Sequence, residues 1–253
     1  MTTLGLQLYT VREQLGKDFT GTLRDVSRAG YAAVEGGPGR GMTPADYKAL
    51  CEELGLAPIA TGSGLEGLEG DLSKTLERAA ASGARYIMLG WVPPKRRKTS
   101  ADWAALARDM NQWGRAARDS GLIFQYHNHD IEFVPVDGST GLEIILSETD
   151  PDLVKFEVDV GWVTWAGGQP AELLMRMGRD RVRIIHLKDC HVAPSKAWTE
   201  VGTGALDLAG VAAACRELEV EYAMIEQDTC ILPPIESIAI SLANAKRAFG
   251  AMG

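Results

Sequence analysis

Residues 23–37 read LRDVSRAGYAAVEGG, and the order of events within them sets the architecture. An amphipathic helical segment ends in glycine, and a short apolar run follows directly. The same order returns at 47–62 (YKALCEELGLAPIATG), 75–91 (TLERAAASGARYIMLGW) and 113–129 (WGRAARDSGLIFQYHNH). A glycine after the last helical turn supplies a left-handed C-cap that sends the chain back towards a sheet. The apolar runs lack strict alternation, as expected of parallel strands covered on both faces.

Four further strands complete the pattern. LGLQLYTVRE (4–13) supplies the first, and DLVKFEVDVGW (152–162), RVRIIHLKD (181–189) and EYAMIEQDT (221–229) the last three. Helices are expected near 170–178, 205–218 and 234–249. Eight strands, each followed by a helical segment, in a chain of 253 residues predict an α/β fold, a (β/α)8 barrel, with one domain over 1–253. The rival, a doubly wound open sheet, would favour a GxGxxG turn after the first strand, and none is present.

Composition narrows the function. A formal charge of −8 and a pI near 5.1 argue against broad nucleic-acid binding, which depends on neutralising many phosphates. The start, MTTLGLQLYTVREQ, lacks the basic and apolar regions of a signal peptide, and no run approaches the roughly 20 apolar residues of a membrane span. Cys51, Cys190, Cys215 and Cys230 show no close pairing and read as reduced thiols, so the expected location is the cytoplasm.

Active sites of such barrels form where the strands end, and polar residues gather there. Strand by strand, these ends carry Gln7 and Tyr9; Glu35; Trp91; His127 and His129; Glu157 and Asp159; His186, Lys188 and Asp189; and Glu226 and Asp228. Side chains alternate along a strand, so residues i and i+2 share a face. Imidazoles from strands five and seven and carboxylates from strands six and eight are therefore expected to converge on the barrel axis. A mixed nitrogen and oxygen shell suits one divalent ion, with Mn²⁺, Co²⁺, Fe²⁺ or Zn²⁺ ahead of Mg²⁺ or Ca²⁺.

LGLQLYTVRE, GYAAVEGG, YHNHDIEF, EVDVGWVTWAG, RIIHLKD, GTGALDL and IEQD occur in that order along nearly the whole chain. In this ordered set the sequence resembles the xylose isomerase-like TIM-barrel superfamily, in its sugar phosphate isomerase/epimerase branch. The resemblance implies a divalent ion held at the ends of strands five to eight. Matched position by position, it assigns metal ligation to Asp159, His186 and Glu226. His127 stands where many relatives carry a glutamate, and Trp162 where several isomerases and epimerases carry a histidine. The wording of YHNHDIEF and DVGWVTWAG is more similar to the branch acting on keto-sugars or keto-glycosides.

A divalent ion that chelates a carbonyl and its neighbouring hydroxyl polarises the C=O and stabilises an enediolate. His129 and Glu132 are the candidate bases and Lys188 the candidate acid or oxyanion partner, His129 having the most suitable intrinsic pKa. Glu132 alternatively orients an imidazole. Candidate substrate contacts are Gln7, Tyr9, Glu35, Trp91, Glu157 and Trp162, with Trp165 and Trp198 on the same rim. Proton return gives isomerisation or epimerisation, the leading expectation, and loss of a β-oxygen gives a lyase or dehydratase acting on a keto-sugar, keto-glycoside or inosose. A non-catalytic sugar-binding barrel is a further alternative. An endonuclease-IV-like repair enzyme would need a histidine-rich multi-zinc site, which four histidines and an acidic chain disfavour. The expected partner is a small carbohydrate, without nucleic acid or membrane, and homo-oligomer formation is left open. PPKRRKTS (93–100) reads first as a solvated basic loop, and GTGALDL (202–208) as a glycine-rich turn or an anion cradle.

Overall fold

The computed structural model describes residues 1–250. Eight parallel strands close into a barrel in chain order: β1 (Thr3–Gln7), β2 (Ala33–Glu35), β3 (Ala57–Gly62), β4 (Tyr86–Leu89), β5 (Ile123–His127), β6 (Val154–Asp159), β7 (Val182–Leu187) and β8 (Tyr222–Ile225). Each is followed by at least one helix, and the last three principal helices run Pro170–Met177, Leu208–Glu217 and Pro234–Phe249. This is the expected (β/α)8 barrel. Two short antiparallel ribbons, Pro135–Val136 with Ser139–Thr140 and Asp189–His191 with Ala197–Thr199, decorate the loops after β5 and β7.

The four helix-ending glycines that set the repeat, Gly30, Gly55, Gly83 and Gly121, have φ of +94°, +69°, +86° and +76°. A side chain at any of them would meet the left-handed penalty. Helix starts are equally well marked. Asp18 caps Phe19–Ala29, and Thr99 and Asp102 form a capping box on Ser100–Asp119.

Two of the expected strands end early. In DLVKFEVDVGW the strand stops at Asp159, and Val160–Trp165 is helical because the Asp159 carboxylate accepts from Trp162 N at 2.8 Å. This N-cap overrides the β-propensity of Val160 and Trp162. In EYAMIEQDT, β8 ends at Ile225, which leaves Glu226 and Asp228 on the loop.

The main core lies between strands and helices, while a small cluster that includes Ala33, Ala60, Tyr86, Ile184 and Met224 packs separately from it. Alternation along β2 and β7 places Glu35 and His186 two residues beyond Ala33 and Ile184 on the same inward faces, and Glu226 follows directly on the end of β8. The apolar layer is thus topped by a polar one. At the opposite end, the buried Arg181 guanidinium donates to the carbonyls of Val154 at 3.0 Å and Leu146 at 3.2 Å. Among the described residues no helix is long and apolar enough to cross a membrane.

Helix–barrel packing is closest at Gly114, where an added Cβ would lie 2.4 Å from the Leu153 carbonyl oxygen. A mid-helix Gly→Ala change ordinarily gains up to about 1 kcal/mol, whereas overpacking costs about 1–3 kcal/mol or more. Gly114→Ala is expected to destabilise the protein by about 2 kcal/mol, read as a lower urea midpoint with unchanged slope.

Candidate metal centre and active site

β5 to β8 deliver one side chain each to a common point. One donor atom from each of His127, Asp159, His186 and Glu226 lies within 4.8 Å of the other three, and all four residues are buried. His127 and His186 face each other with ring centroids 4.3 Å apart. His186 Nδ1 lies 2.9 Å from Glu226 Oε2.

The donor set can be tested for its fit to a cation. His127 Nδ1, Asp159 Oδ2, His186 Nδ1 and Glu226 Oε2 are all buried without an aligned hydrogen bond among the described residues. Buried polar atoms left in this way are costly unless something pairs with them. Two nitrogens and two carboxylate oxygens within this span match the donor types and spacing of a transition-metal site. The residues therefore fit a divalent ion.

Lys188 is the fixed cation of the cluster. Its buried ammonium lies 2.8 Å from Asp228 Oδ2, 3.0 Å from Glu226 Oε2 and 3.2 Å from Asp159 Oδ2. Burial alone would lower its pKa, but these carboxylates outweigh that and raise it. Of the two expected roles, acid or oxyanion partner, this setting of three carboxylates suits the charged partner better. Asp159 is pushed up to about 6 by burial against the pull of Lys188. Burial would raise Glu226 too, yet Lys188 and His186 hold it well below the usual carboxylate range.

His129 lies just beyond β5, its ring 4.8 Å from that of His127. It is flanked by Trp91 at 5.9 Å and Trp162 at 5.4 Å. Burial, reinforced by the charge of Lys188, lowers its pKa to about 4, so the ring is neutral near pH 7. Burial also raises Glu132, to about 7. Its Oε2 accepts from His129 N at 2.7 Å, and its Oε1 accepts from the Tyr126 hydroxyl. Both oxygens of Glu132 are engaged and it is only 1% exposed, so in this arrangement the candidate base braces the backbone that carries His129.

The candidate substrate contacts divide by depth. Tyr9 and Trp91 are exposed on the rim, at 50% and 54%. Arg12 covers the Tyr9 ring and Arg97 covers that of Trp91. Trp162 packs against Trp198 at 4.6 Å, and Trp198 stacks on Trp165 at 4.7 Å. Gln7, Glu35 and Glu157 lie deeper. Glu35 and Glu157 are fully buried, 3.2 and 3.4 Å from His186 Nε2. The amide of Gln7 donates to Glu35 and accepts from Tyr9 N. These three expected substrate contacts lie below the rim, grouped around His186.

Sequence reasoning passed over Asn128, whose Oδ1 accepts from Asp159 N at 3.0 Å and ties β5 to β6 beside the ligands. A polar residue between two inward histidines points to the opposite face, and that was the available signal. The GTGALDL turn is occupied from within. The Asp189 carboxylate accepts from the backbone amides of Cys190, Gly202, Gly204 and Leu206 at 2.8–3.0 Å. In the basic loop, Arg96 pairs with Glu69 and Asp109.

The relatives are sugar-processing enzymes by name. An inosose dehydratase of Clostridium botulinum is 29% identical over 154 residues, covering 53% of this chain and 51% of that protein. The chain thus spans about half the length of that curated relative. A solved sugar phosphate isomerase/epimerase from Parabacteroides distasonis superposes with a TM-score of 0.85 at 22% identity, covering 98% of this chain and 95% of the other. The zinc-bound IolI protein superposes with a TM-score of 0.76 at 14% identity, covering 99% of each chain. At these identities the superpositions establish the fold alone. A family model described as xylose isomerase-like TIM barrel matches residues 23–242, and by that match the chain belongs to the xylose isomerase-like TIM-barrel family.

Proposed function

We propose that the chain is a divalent-metal-dependent enzyme that removes the proton beside a carbonyl of a small keto-sugar or inosose. The observation that carries this reading is the convergence of four buried nitrogen and carboxylate donor groups next to a neutral imidazole. A bound divalent ion supplies Lewis acidity towards a carbonyl oxygen. His129 takes the proton, with its ring held between Trp91 and Trp162 and its backbone fixed by Glu132. Lys188 offsets negative charge that develops nearby without surrendering its own proton.

Isomerisation follows when the proton on His129 returns to the neighbouring carbon. Dehydration follows when the electron pair instead expels a β-hydroxyl, which takes that proton and leaves as water. Both need one base on one face of the substrate, which is what His129 offers; epimerisation needs proton delivery to the opposite face. The name of the curated relative favours dehydration as the second reading.

The test is solvent deuterium exchange, followed by NMR, across a panel of keto-sugars and inososes with Mn²⁺- or Zn²⁺-loaded protein. Label is expected at the carbon beside the carbonyl and is expected to disappear after chelation. Appearance of an unsaturated ketone absorbance marks the dehydratase outcome. Ligand binding without exchange in every metal-loaded sample would make the barrel a binding module and overturn the proposal.

A further inference from the structure

β1 and β2 contribute no residue to the four-donor cluster, yet both end in polar side chains that run towards it. Tyr9 N donates to Gln7 Oε1 at 3.1 Å, and the Gln7 amide nitrogen donates to Glu35 Oε1. The same Glu35 oxygen lies 3.2 Å from His186 Nε2, and Glu157 Oε1 approaches that nitrogen at 3.4 Å from β6. The other ring nitrogen, Nδ1, faces Glu226 in the donor cluster.

An imidazole ligates through one nitrogen, and the tautomer is set by what the other nitrogen meets. We infer that Glu35 and Glu157 form a positioning pair that keeps the proton of His186 on Nε2 and so presents Nδ1 to the cation. This rests on the metal centre proposed above. The carboxylates also make the ring a stronger donor, because they stabilise the positive charge that ligation draws onto it. Their burial supports the assignment. Glu35 and Glu157 are wholly enclosed, and neither Glu157 oxygen has an aligned hydrogen bond among the described residues. Carboxylates placed so deep are expensive to the fold, and the His186 ring nitrogen is what both of them meet. Gln7 then braces Glu35 from the side of the barrel that lacks ligands.

One donor each from Glu35, Glu157 and His186 also lies within 4.8 Å of the others, so a second ion in this lower position is the competing arrangement. Calorimetric titration of chelator-stripped protein with Zn²⁺ separates the two. Wild type is expected to bind one ion per chain. Glu35→Ala and Glu157→Ala are expected to weaken it by about 10–100-fold. Glu35→Gln, which keeps an acceptor oxygen and nearly the same shape, should recover part of the loss. The ion-free Glu157→Gln protein should melt no lower than wild type, since a buried carboxylate has been removed. Nitrogen-15 NMR of the zinc-loaded protein should show His186 protonated on Nε2 and bound through Nδ1.

Affinity within twofold of wild type in both alanine variants would overturn the inference, as would ligation through Nε2. Two ions per chain, the second lost in Glu157→Gln, would also overturn it in favour of a second cation site. Wild-type protein that takes up no ion defeats the metal centre itself. One ion with unaffected variants defeats only the positioning pair.

Discussion

His186→Ala is expected to eliminate metal-dependent turnover, lowering it by at least about 10³-fold, the rate equivalent of the several kcal/mol that Lewis-acid assistance provides. His186 lies against three carboxylates, Glu226 through Nδ1 and Glu35 and Glu157 through Nε2. Burial alone would drive its proton off, but Glu157, Glu35 and Glu226 outweigh burial and raise its pKa well above the ordinary value. In the ion-free protein His186 is therefore a buried counter-charge. Removing it takes one partner from each of these carboxylates and leaves Glu157 with none among the described residues, at a cost of about 3–5 kcal/mol. The sign of the pH dependence follows. Stranded carboxylates have folded-state pKa values above their unfolded ones, so the folded form binds the extra protons. The deficit is then smallest below the unfolded pKa and grows as pH rises through the folded one. Urea unfolding of chelated wild type and variant should show a larger gap at pH 8 than at pH 5. A variant that still takes up the ion and turns over at a wild-type rate would remove His186 from the centre.

His129→Ala is expected to retain the ion and lose about 10²–10⁴-fold in proton exchange, the range general-base catalysis provides. Retained metal binding separates this outcome from that of His186→Ala, although the two rings are close neighbours of His127. With its pKa lowered to about 4 by burial and by Lys188, His129 is already in its proton-accepting form at pH 6. Exchange should stay level from pH 8 to pH 6 and fall only as pH drops towards 4. A wild-type profile with an acid limb near 6.5 would point to an exposed histidine with an ordinary pKa instead. Unchanged exchange in His129→Ala would assign the base elsewhere.

Both variants rest on residues that alternation along the strands had already marked. Period two places His127, Asp159 and His186 on inward faces, and the barrel's shared end brings them together with Glu226. Depth was not legible in the same way. Glu157 and Asp159 share a face on β6, yet Glu157 sits one layer down, beside His186 Nε2. Alternation reports a face and is silent about the layer. The setting of Glu132 was not legible for a related reason. Its partners, Tyr126 and His129 N, depend on the 3₁₀ turn Ile131–Phe133 that folds it back under the strand end. The early end of β6 depended on one capping carboxylate rather than on propensity, so VGW reads as strand in the sequence and is helix in the fold.

The amides gathered by Asp189 bear on how the loop after β7 holds its shape. In barrels of this kind, loops following the seventh and eighth strands commonly grip phosphate esters through free backbone N–H groups. Here four such groups are already spent on a carboxylate built into the chain. Asp189 is itself fully buried, so the loop after β7 is pinned from inside by one carboxylate and keeps its shape without a bound anion.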